Sequence, residues 1–325
     1  MSRDDGKAEA LHLATYSGWY RFEQRGQQWT QADRALTFWK MSALQIDPEN
    51  SCHVYIATEH SGLFVSDNGG AEWRRAKPNV PRLTTVSLLA LPGVILAGTV
   101  PAAVYSANSG GTWKELDGVR LAAGGGSFPP SPELGARTRF LAADNQTPRR
   151  LYAAIEVGGM LVSDDEGRHW SQITGGLDDP DVHQILASAK SKGLVIAACG
   201  EGAYRSSDRG EHWEKITPPG NRTFGSAVTE DGSGTVYLAM AQGRPSTWLR
   251  KDRADAALFA SQDGGAHWDV LLEGLPGGIM AMCPGIAGQG VFASTSEGDV
   301  VQVNSSASRT IISGLPSISA IALGG

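Results

Sequence analysis

Four glutamates stand at comparable places in the sequence, each at or just beyond the end of a short apolar run that is typical of a β-strand. They are Glu59, Glu156, Glu201 and Glu297. Carboxylates gathered around a narrow opening can bind a cation, a sugar hydroxyl or an amine, or raise one another's pKa until one acts as a general acid. A single glutamate in such a turn can equally be a solvated surface residue, so its chemistry depends on what the fold brings close to it.

His183 opens another apolar run, at 182–188, which the strand order places close to Glu156. An imidazole beside a carboxylate is suited to acid/base catalysis or to metal binding. We therefore take Glu156, His183 and Glu59 as candidate catalytic residues, while a hydrogen-bonded structural role for His183 stays open. No cofactor is predicted. A divalent cation is an alternative, and its ligands would be His60, His183 and Glu156.

Further polar and aromatic residues lie in the turns that follow or join the predicted strands. Arginine is suited to holding a carboxylate or phosphate with two parallel hydrogen bonds. The candidate ligand-binding residues are Tyr16, His60, Arg82, Arg139, Glu201, Arg222, Arg244, Trp248 and Glu297. The sequence contains no Gly-x-Ser-x-Gly elbow, phosphate loop, His-Glu-x-x-His helix or dinucleotide fingerprint.

The elements that must position these residues are revealed by a phrase that occurs five times, Ser-x-[Asp/Asn]-x-Gly-x-x-Trp, at 66–73, 106–113, 163–170, 206–213 and 261–268. The Asp or Asn can bond the backbone of its own turn, the Gly can take a positive φ, and the Trp begins the next strand and covers the turn. These structural residues are Asn68, Gly70, Trp73, Asn108, Gly110, Trp113, Asp165, Gly167, Trp170, Asp208, Gly210, Trp213, Asp263, Gly265 and Trp268.

The phrase resembles the Asp-box, or BNR, repeat of sialidases, xyloglucan-hydrolysing glycosidases, the sortilin ectodomain and the photosystem assembly factors. The resemblance implies a β-propeller. It also implies that the repeated loops lie on the face opposite the working site, so that their acids are structural.

The spacing of the repeat and the runs between copies predict an all-β, seven-bladed propeller of four-stranded antiparallel blades. The tryptophans at 29, 73, 113, 170, 213 and 268 mark six blades, and Ile311 is taken as the equivalent in the seventh. The first blade has three strands of its own, and the run at 315–323 is predicted to complete it and close the ring. After a polar tail at 1–10, the predicted blades are 11–34 with 315–325, 40–76, 84–117, 138–175, 181–217, 224–273 and 277–314.

In this plan the repeated loops share one face, and the other face surrounds the mouth of a central channel. Two insertions, at 116–137 and 241–253, belong to the mouth face and predict either walls of a pocket or tolerated surface loops. The candidate catalytic and ligand-binding residues above also fall on that face.

The resemblance does not extend to the catalytic pattern of either hydrolase family. The Arg-Ile-Pro phrase of sialidases is absent, and the aspartates of the mouth face, Asp33, Asp178, Asp179 and Asp181, do not match the aspartate pair of the two-propeller xyloglucan-hydrolysing enzymes. Two hypotheses follow. The first is a glycosyl-hydrolase-like enzyme, hydrolase or lyase, or a binding protein for a small polar or carbohydrate-like ligand. The second is a non-catalytic scaffold for a protein partner.

The composition of the chain limits the classes of partner that it could bind. The net charge of −6 gives no basic face for nucleic acid. The polar first ten residues lack the apolar core of a secretion signal, and no apolar run approaches the length of a membrane span, so we expect a cytoplasmic protein with no membrane partner. Three widely spaced cysteines predict reduced thiols, and the sequence does not indicate an oligomeric state.

Overall fold

A computed structural model describes residues 9–108, 111–119, 136–147, 149–156, 158–173, 175–179, 181–248, 254–286 and 288–324. Within these ranges the chain forms seven four-stranded antiparallel sheets, which are the blades of a ring, and the short helix α1 (Pro245–Trp248). The predicted fold class, a seven-bladed β-propeller, is confirmed. The bounds of the strands follow in the order channel to rim.

Blades 1 to 4 contain β28 (Ile318–Gly324), β1 (Ala10–Thr15), β2 (Gly18–Arg25) and β3 (Gln28–Ala35); β4 (Met41–Ile46), β5 (Val54–Thr58), β6 (Gly62–Ser66) and β7 (Arg74–Arg75); β8 (Thr85–Leu91), β9 (Val94–Thr99), β10 (Val104–Asn108) and β11 (Lys114–Glu115); and β12 (Arg137–Ala143), β13 (Leu151–Glu156), β14 (Gly159–Ser163) and β15 (Ser171–Gln172).

Blades 5 to 7 contain β16 (Val182–Ala187), β17 (Val195–Cys199), β18 (Gly202–Ser206) and β19 (Glu214–Ile216); β20 (Phe224–Glu230), β21 (Val236–Ala241), β22 (Ala256–Ser261) and β23 (Asp269–Leu275); and β24 (Ile279–Pro284), β25 (Val291–Thr295), β26 (Val300–Val303) and β27 (Ser308–Ile312).

The ring is closed by the C-terminal strand, as predicted. β28 pairs antiparallel with β1, with Leu11 opposite Leu323 and Leu13 opposite Ile321, and forms the innermost strand of blade 1. β1 begins at Ala10, inside the segment predicted as a tail, because Ala10 pairs with both neighbouring strands. Pairing the two ends of the chain removes an open sheet edge between blades 7 and 1.

Each repeated loop is held by the same network of hydrogen bonds. In the loop after β18, the N–H of Gly210 donates to Ser206 Oγ over 2.8 Å, and that hydroxyl donates to Asp208 Oδ1 over 2.7 Å. Asp208 Oδ1 also accepts the N–H of His212 at 2.9 Å. The loops that begin at Ser66, Ser163 and Ser261 have the same bonds. Gly110 of the remaining copy lies outside the described residues.

The tryptophans of the repeat pack into the seams between blades. Trp213 of blade 5 is buried and donates its indole N–H to the carbonyl of Ile173 in blade 4 over 3.0 Å, while Trp73 of blade 2 meets the ring of Trp19 in blade 1 edge-on, at 5.0 Å between centroids. The prediction that the Trp begins the outer strand is wrong by one residue, because the indole turns into the seam. The outer strands begin directly after it, at Arg74, Lys114, Ser171, Glu214 and Asp269.

The strand pairing also corrects the residue that was taken as the equivalent of the tryptophan in blade 7. Ser261 and Val303 both pair with the first residue of the second strand of their blades. The preceding residue pairs with Asp269 in blade 6 and with Arg309 in blade 7. Trp268 precedes Asp269, and Ser308 precedes Arg309. The residue equivalent to the tryptophan is therefore Ser308 and not Ile311, because the loop of blade 7 is two residues shorter.

Candidate functional site

Every inner strand of the ring carries a β-bulge close to its mouth end. One residue in each strand has no partner on the second strand, and the pairing shifts past it. Bulges re-aim a side chain. All seven bulged residues line the channel, namely Ser42, Val86, Arg139, His183, Ser226, Met280 and Ser319. The bulges thus select which side chains face the channel.

Several bulged residues also connect neighbouring blades. Ser42 donates its hydroxyl to the carbonyl of Thr85, which begins the next inner strand, over 2.5 Å. His183 does the same with Nδ1–H, at 2.8 Å from the carbonyl oxygen of Gly225. Since a carbonyl can only accept, Nδ1 of His183 carries a proton. The hydrogen-bonded structural role that the sequence left open for His183 is therefore present, and Nε2 is left to face other groups.

The channel contains a cavity of about 150 Å³ at this level. Arg139 and His183 are the ionisable residues among the described residues that line it, and the others are serine, glutamine and apolar side chains. The wall is therefore polar on the side of blades 4 and 5. Both residues lie near the start of an inner strand, Arg139 in β12 and His183 in β16.

Glu156 occupies the mouth end of β13 between two arginines of the adjacent inner strand. Arg137 Nη2 donates to Glu156 Oε1, and Arg139 Nε lies 3.4 Å from Glu156 Oε2. The Glu156 side chain is 18% exposed, and those of Arg137 and Arg139 are 43% and 39% exposed. Burial lowers the pKa of Arg137, but the hydrogen bond and charge of Glu156, with the charges of Asp181 and Glu59, raise it above its ordinary value overall.

Two aspartates of the loop before β16 meet next to this array. A Cβ on Gly200 would lie 2.8 Å from Asp179 Oδ2 and 2.9 Å from Asp181 Oδ2, so both carboxylates close on this glycine. Asp181 Oδ1 lies 3.4 Å from His183 Nε2. Because Nδ1 donates to a carbonyl, Nε2 is the ring nitrogen that is turned toward this carboxylate. Buried Cys199 lies beneath, and burial, followed by the two aspartate charges, raises the pKa of its thiol.

Blade 2 supplies the third part of the mouth. Lys40 Nζ lies 2.7 Å from Glu59 Oε1 and 4.1 Å from the ring centroid of Tyr16, which is 44% exposed. Glu59 is close enough to Arg137 for its charge to raise the pKa of that arginine. Glu156, His183 and Glu59 are thus brought to one opening, which we call the mouth cluster together with Arg137, Arg139, Asp181, Lys40 and Tyr16.

Other candidate residues do not join the mouth cluster. Arg222 is buried and holds Asp255, with Nε 2.5 Å from its carbonyl oxygen and Nη2 3.0 Å from Oδ1. Trp248 is buried at the end of α1, where its ring meets that of Phe224 at 5.7 Å and its N–H donates to the carbonyl of Gln242. Both side chains stabilise the conformation of blade 6 at its insertion.

The remaining candidates are peripheral. Arg244 Nη2 lies 3.8 Å from Glu201 Oε1, and both side chains are 60% exposed. Arg82 lies close to Tyr105, on the third strand of blade 3. Burial and Glu115 raise the pKa of Tyr105, and Arg82 lowers it by less. His60 and Glu297 are exposed in turns of the mouth face. The insertion residues 120–135 and 249–253 lie outside the described residues.

The sequence placed Arg137, as the last residue of an insertion, and Asp181 on the mouth face, but it did not show their part in the site. The signal that could have found them is their spacing, since each lies two residues before a bulged residue, Arg139 or His183. In an extended strand such neighbours point to the same side. Lys40 was missed altogether, because it is a connector residue whose role depends on its contact with Glu59.

The proposed metal ligands do not converge. Among the described residues, the group that brings three suitable ligand atoms together is Asp208, Glu211 and His212, in a repeated loop on the opposite face. There the hydrogen bonds of His212, from its backbone and its ring, lower the pKa of Asp208, and the carboxylate raises the pKa of His212. At the mouth, two positive guanidinium groups already occupy the carboxylate of Glu156.

No family model matches the chain. Among curated proteins it is similar to a probable oligoxyloglucan-reducing end-specific xyloglucanase of Neosartorya fischeri, at 23% identity over 229 residues, which cover 63% of this chain and 26% of that protein. The chain spans about a quarter of the length of the curated relatives it matches. The similarity to xyloglucan-hydrolysing enzymes that the repeat predicted is confirmed.

Solved structures show the same architecture. The GH74 xyloglucanase from Xanthomonas campestris matches 92% of this chain with 50% of its own, at 20% identity and a TM-score of 0.67. The protein YCF48 bound to D1 peptide matches 95% of this chain with 87% of its own, at 12% identity and a TM-score of 0.56. At these identities the likeness establishes the propeller fold. Among the described residues, no helix has the length and apolar character needed to cross a membrane.

Proposed function

We propose that the mouth cluster binds a small carbohydrate-like ligand and that hydrolysis of a glycosidic bond is the reaction its carboxylates serve. The observation that carries this proposal is the array of Arg137, Glu156 and Arg139, partly exposed at the edge of a polar channel. It offers hydrogen-bond donors and an acceptor side by side in a fixed arrangement.

The balance of charges favours a neutral, hydroxyl-rich ligand over an ion. Each sugar hydroxyl both donates and accepts a hydrogen bond, and the mouth cluster provides guanidinium donors next to the carboxylates of Glu156 and Asp181. The positive charges of the arginines are offset by these acids and by Glu59, which itself pairs with Lys40. The exposed ring of Tyr16 provides an apolar surface at the same rim.

The two kinds of carboxylate suggest different roles. Asp181 Oδ1 and His183 Nε2 lie 3.4 Å apart at the channel wall, and a carboxyl–imidazole pair of this kind is suited to donate a proton to a leaving-group oxygen. Glu156 is fixed in position by its two arginines and is suited to accept a sugar hydroxyl and to hold the ring beside that pair. The xyloglucanases to which the chain is similar support this reaction class.

A test uses xyloglucan oligosaccharides as the probe, with binding measured by calorimetry and hydrolysis by the release of reducing ends. The Glu156→Gln variant keeps the size of the side chain but removes its charge, and we expect it to lower kcat/KM by about 100-fold or more. Asp263→Asn, in a repeated loop on the far face, is the matched control and should leave both measurements unchanged. Full activity of Glu156→Gln would exclude the assigned site.

A second function, docking of a protein partner over the mouth face, is favoured by three exposed apolar side chains. Phe38, Leu83 and Tyr16 are 92%, 46% and 44% exposed, and all three lie in turns of the mouth face on blades 1 to 3. Large exposed apolar side chains on one face are typical of interaction sites. The fold shared with YCF48, whose structure holds a D1 peptide, is consistent with this alternative.

Peptides selected from a display library against the protein test this second function. The variant Phe38→Ser with Leu83→Ser should weaken their binding at least tenfold, about 1.4 kcal/mol or more. Ala71→Ser, at an exposed apolar residue in a repeated loop of the far face, is the control. Peptides whose binding is unaffected by the double change would argue against docking at the mouth.

A further inference from the structure

The seam between blades 6 and 7 differs from the other seams because the seventh repeat has lost its tryptophan. By strand register, the exposed Ser308 stands where Trp268 stands in blade 6. Blade 1 has also lost most of the repeat, but it keeps Trp29, whose ring meets that of Phe292 in blade 7 edge-on at 5.6 Å. The seam between blades 6 and 7 is thus without an indole from the following blade.

In the preceding seam, the repeated loop of blade 6 covers the far-face end of blade 5. A Cβ on Gly265 would lie 3.2 Å both from Ile196 Cδ1 and from the ring of Trp268, and Arg205 donates to the carbonyl of Gly264 over 2.8 Å. By register, Ile196 and Arg205 correspond to Tyr237 and Ala260 in blade 6. The loop of blade 7 brings no tryptophan to the next seam, where Tyr237 and Ala260 are 6% and 8% exposed.

Tyr237 and Ala260 in fact line a groove of about 830 Å³, which we call the seam groove. Cavities at three other seams have about 200, 240 and 250 Å³. The seam groove has the size of a typical ligand site, and an indole fills only part of it. It lies on the face opposite the mouth cluster, so it is independent of the proposed function.

The seam groove has an apolar wall and an acidic rim. Val270 and Ile286 line it and are 40% and 55% exposed. Asp231 and Asp269 add negative charge, and no Lys, Arg or His is among the described residues that line it. Tyr237 donates its hydroxyl to Asp231 Oδ2 over 3.1 Å, and this bond holds the acid in place at the rim.

We propose that the seam groove is a docking site for a segment of a partner protein that presents an aromatic side chain next to a basic residue. The aromatic ring takes the place that the tryptophan of the following blade occupies in other seams. The basic residue pairs with the acidic rim of Asp231 and Asp269. The remaining volume accommodates the backbone on either side of the ring, and the exposed Val270 and Ile286 contact it.

Three short capped peptides test this proposal on the full chain, with the sequences Lys-Trp-Lys, Lys-Ala-Lys and Glu-Trp-Glu. Isoleucine methyl NMR reports binding through Ile286 in the groove and uses Ile196, in the neighbouring seam, as an internal control. We expect Lys-Trp-Lys to shift the Ile286 methyl signal, with an affinity at least tenfold above those of the other two peptides. An unmoved Ile286 signal at millimolar Lys-Trp-Lys, or equal affinity for Lys-Ala-Lys or Glu-Trp-Glu, overturns the proposal.

A substitution that restores the repeat gives the matched test. Ser308→Trp should fill the groove and abolish the shift of Ile286, whereas Ser308→Ala should preserve it. Asp269→Asn changes an exposed side chain and should weaken Lys-Trp-Lys binding without affecting the fold. It provides the test of the site if Ser308→Trp folds poorly. Unchanged binding in a folded Ser308→Trp protein, or in Asp269→Asn, contradicts the assigned site.

Discussion

Glu156 acquires its importance from its neighbours. Its carboxylate meets Arg137 and Arg139, one on each oxygen, and these arginines extend toward the channel and toward Asp181. His183 has two tasks, since Nδ1 ties two blades together and Nε2 faces Asp181. The chemistry proposed for the mouth therefore rests on pairs of residues, and changing one member alters the behaviour of the other.

A buried histidine outside the site makes stability depend on pH. Burial, followed by the charge of Arg21, lowers the pKa of His12 from 6.5 to about 4, against an opposing effect of Asp33. The neutral form is favoured in the folded protein, so the stability it contributes is complete above pH 6.5 and is lost as the pH falls toward 4. His12→Phe should remove about 3 kcal/mol of this loss.

The measurement is the free energy of unfolding by urea between pH 7.5 and 4, for the wild-type protein and His12→Phe. The stability of His12→Phe relative to that of the wild-type protein should rise by about 3 kcal/mol as the pH falls from 7.5 to 4. Curves that stay parallel over this range would mean that His12 does not titrate between the folded and unfolded states as its burial implies.

The repeated loop is the element whose form the sequence predicted in greatest detail. Its hydrogen-bond network starts at a buried serine hydroxyl, as in Ser206, which is 1% exposed and bonds both Gly210 and Asp208. Ser206→Ala leaves the N–H of Gly210 without its acceptor, so we expect a loss of about 1–3 kcal/mol in the free energy of unfolding.

Ser305→Ala is the matched control for this change, because Ser305 is an exposed residue in the degenerate loop of blade 7. It should alter stability by less than about 0.5 kcal/mol. Chemical denaturation of both variants gives the comparison. Equal effects of the two substitutions would show that the network does not stabilise the loop.

The strands could be predicted where apolar and polar residues alternate and turn residues mark the ends of the run. The four strands β4 to β7 lie within 41–75, inside the blade predicted at 40–76. The bulges could not be predicted, because a bulge is defined by the pairing partner and a single strand carries no sign of it. For the same reason the sequence placed Arg139 and His183 in the channel but did not show that Arg137 and Asp181 would meet Glu156 and His183.

Contacts made away from the channel could not be predicted from the sequence either. Arg222 and Trp248 fall in mouth-face segments, yet both side chains are buried, Arg222 against Asp255 and Trp248 against Phe224. A basic or aromatic residue in a loop can face the opening or fold back under it, and the choice depends on partners such as Asp255 and Phe224.

The ring as a whole depends on its closure. β28 is the inner strand of blade 1, and Ile318 and Ile321 of this strand are buried between blades. Deleting residues 317–325 exposes the backbone edge of β1 and opens the seam to blade 7. We expect the shortened chain to lose its cooperative unfolding transition and to associate.

Calorimetry and size-exclusion chromatography measure these two outcomes. A chain that lacks only residues 324 and 325 keeps the pairing of Leu13 with Ile321 and is the control. If the protein without residues 317–325 remained a monomer with an unchanged transition temperature, closure by β28 would not be what holds the ring.

The most direct test of a ligand site at the channel mouth is a crystal structure of the protein soaked with a xyloglucan oligosaccharide. We expect a sugar at the mouth, with hydroxyl groups in hydrogen-bond contact with Arg137, Glu156 and Arg139. A sugar bound on the far face, or a mouth that stays empty of sugar in crystals soaked at saturating concentration, would contradict it.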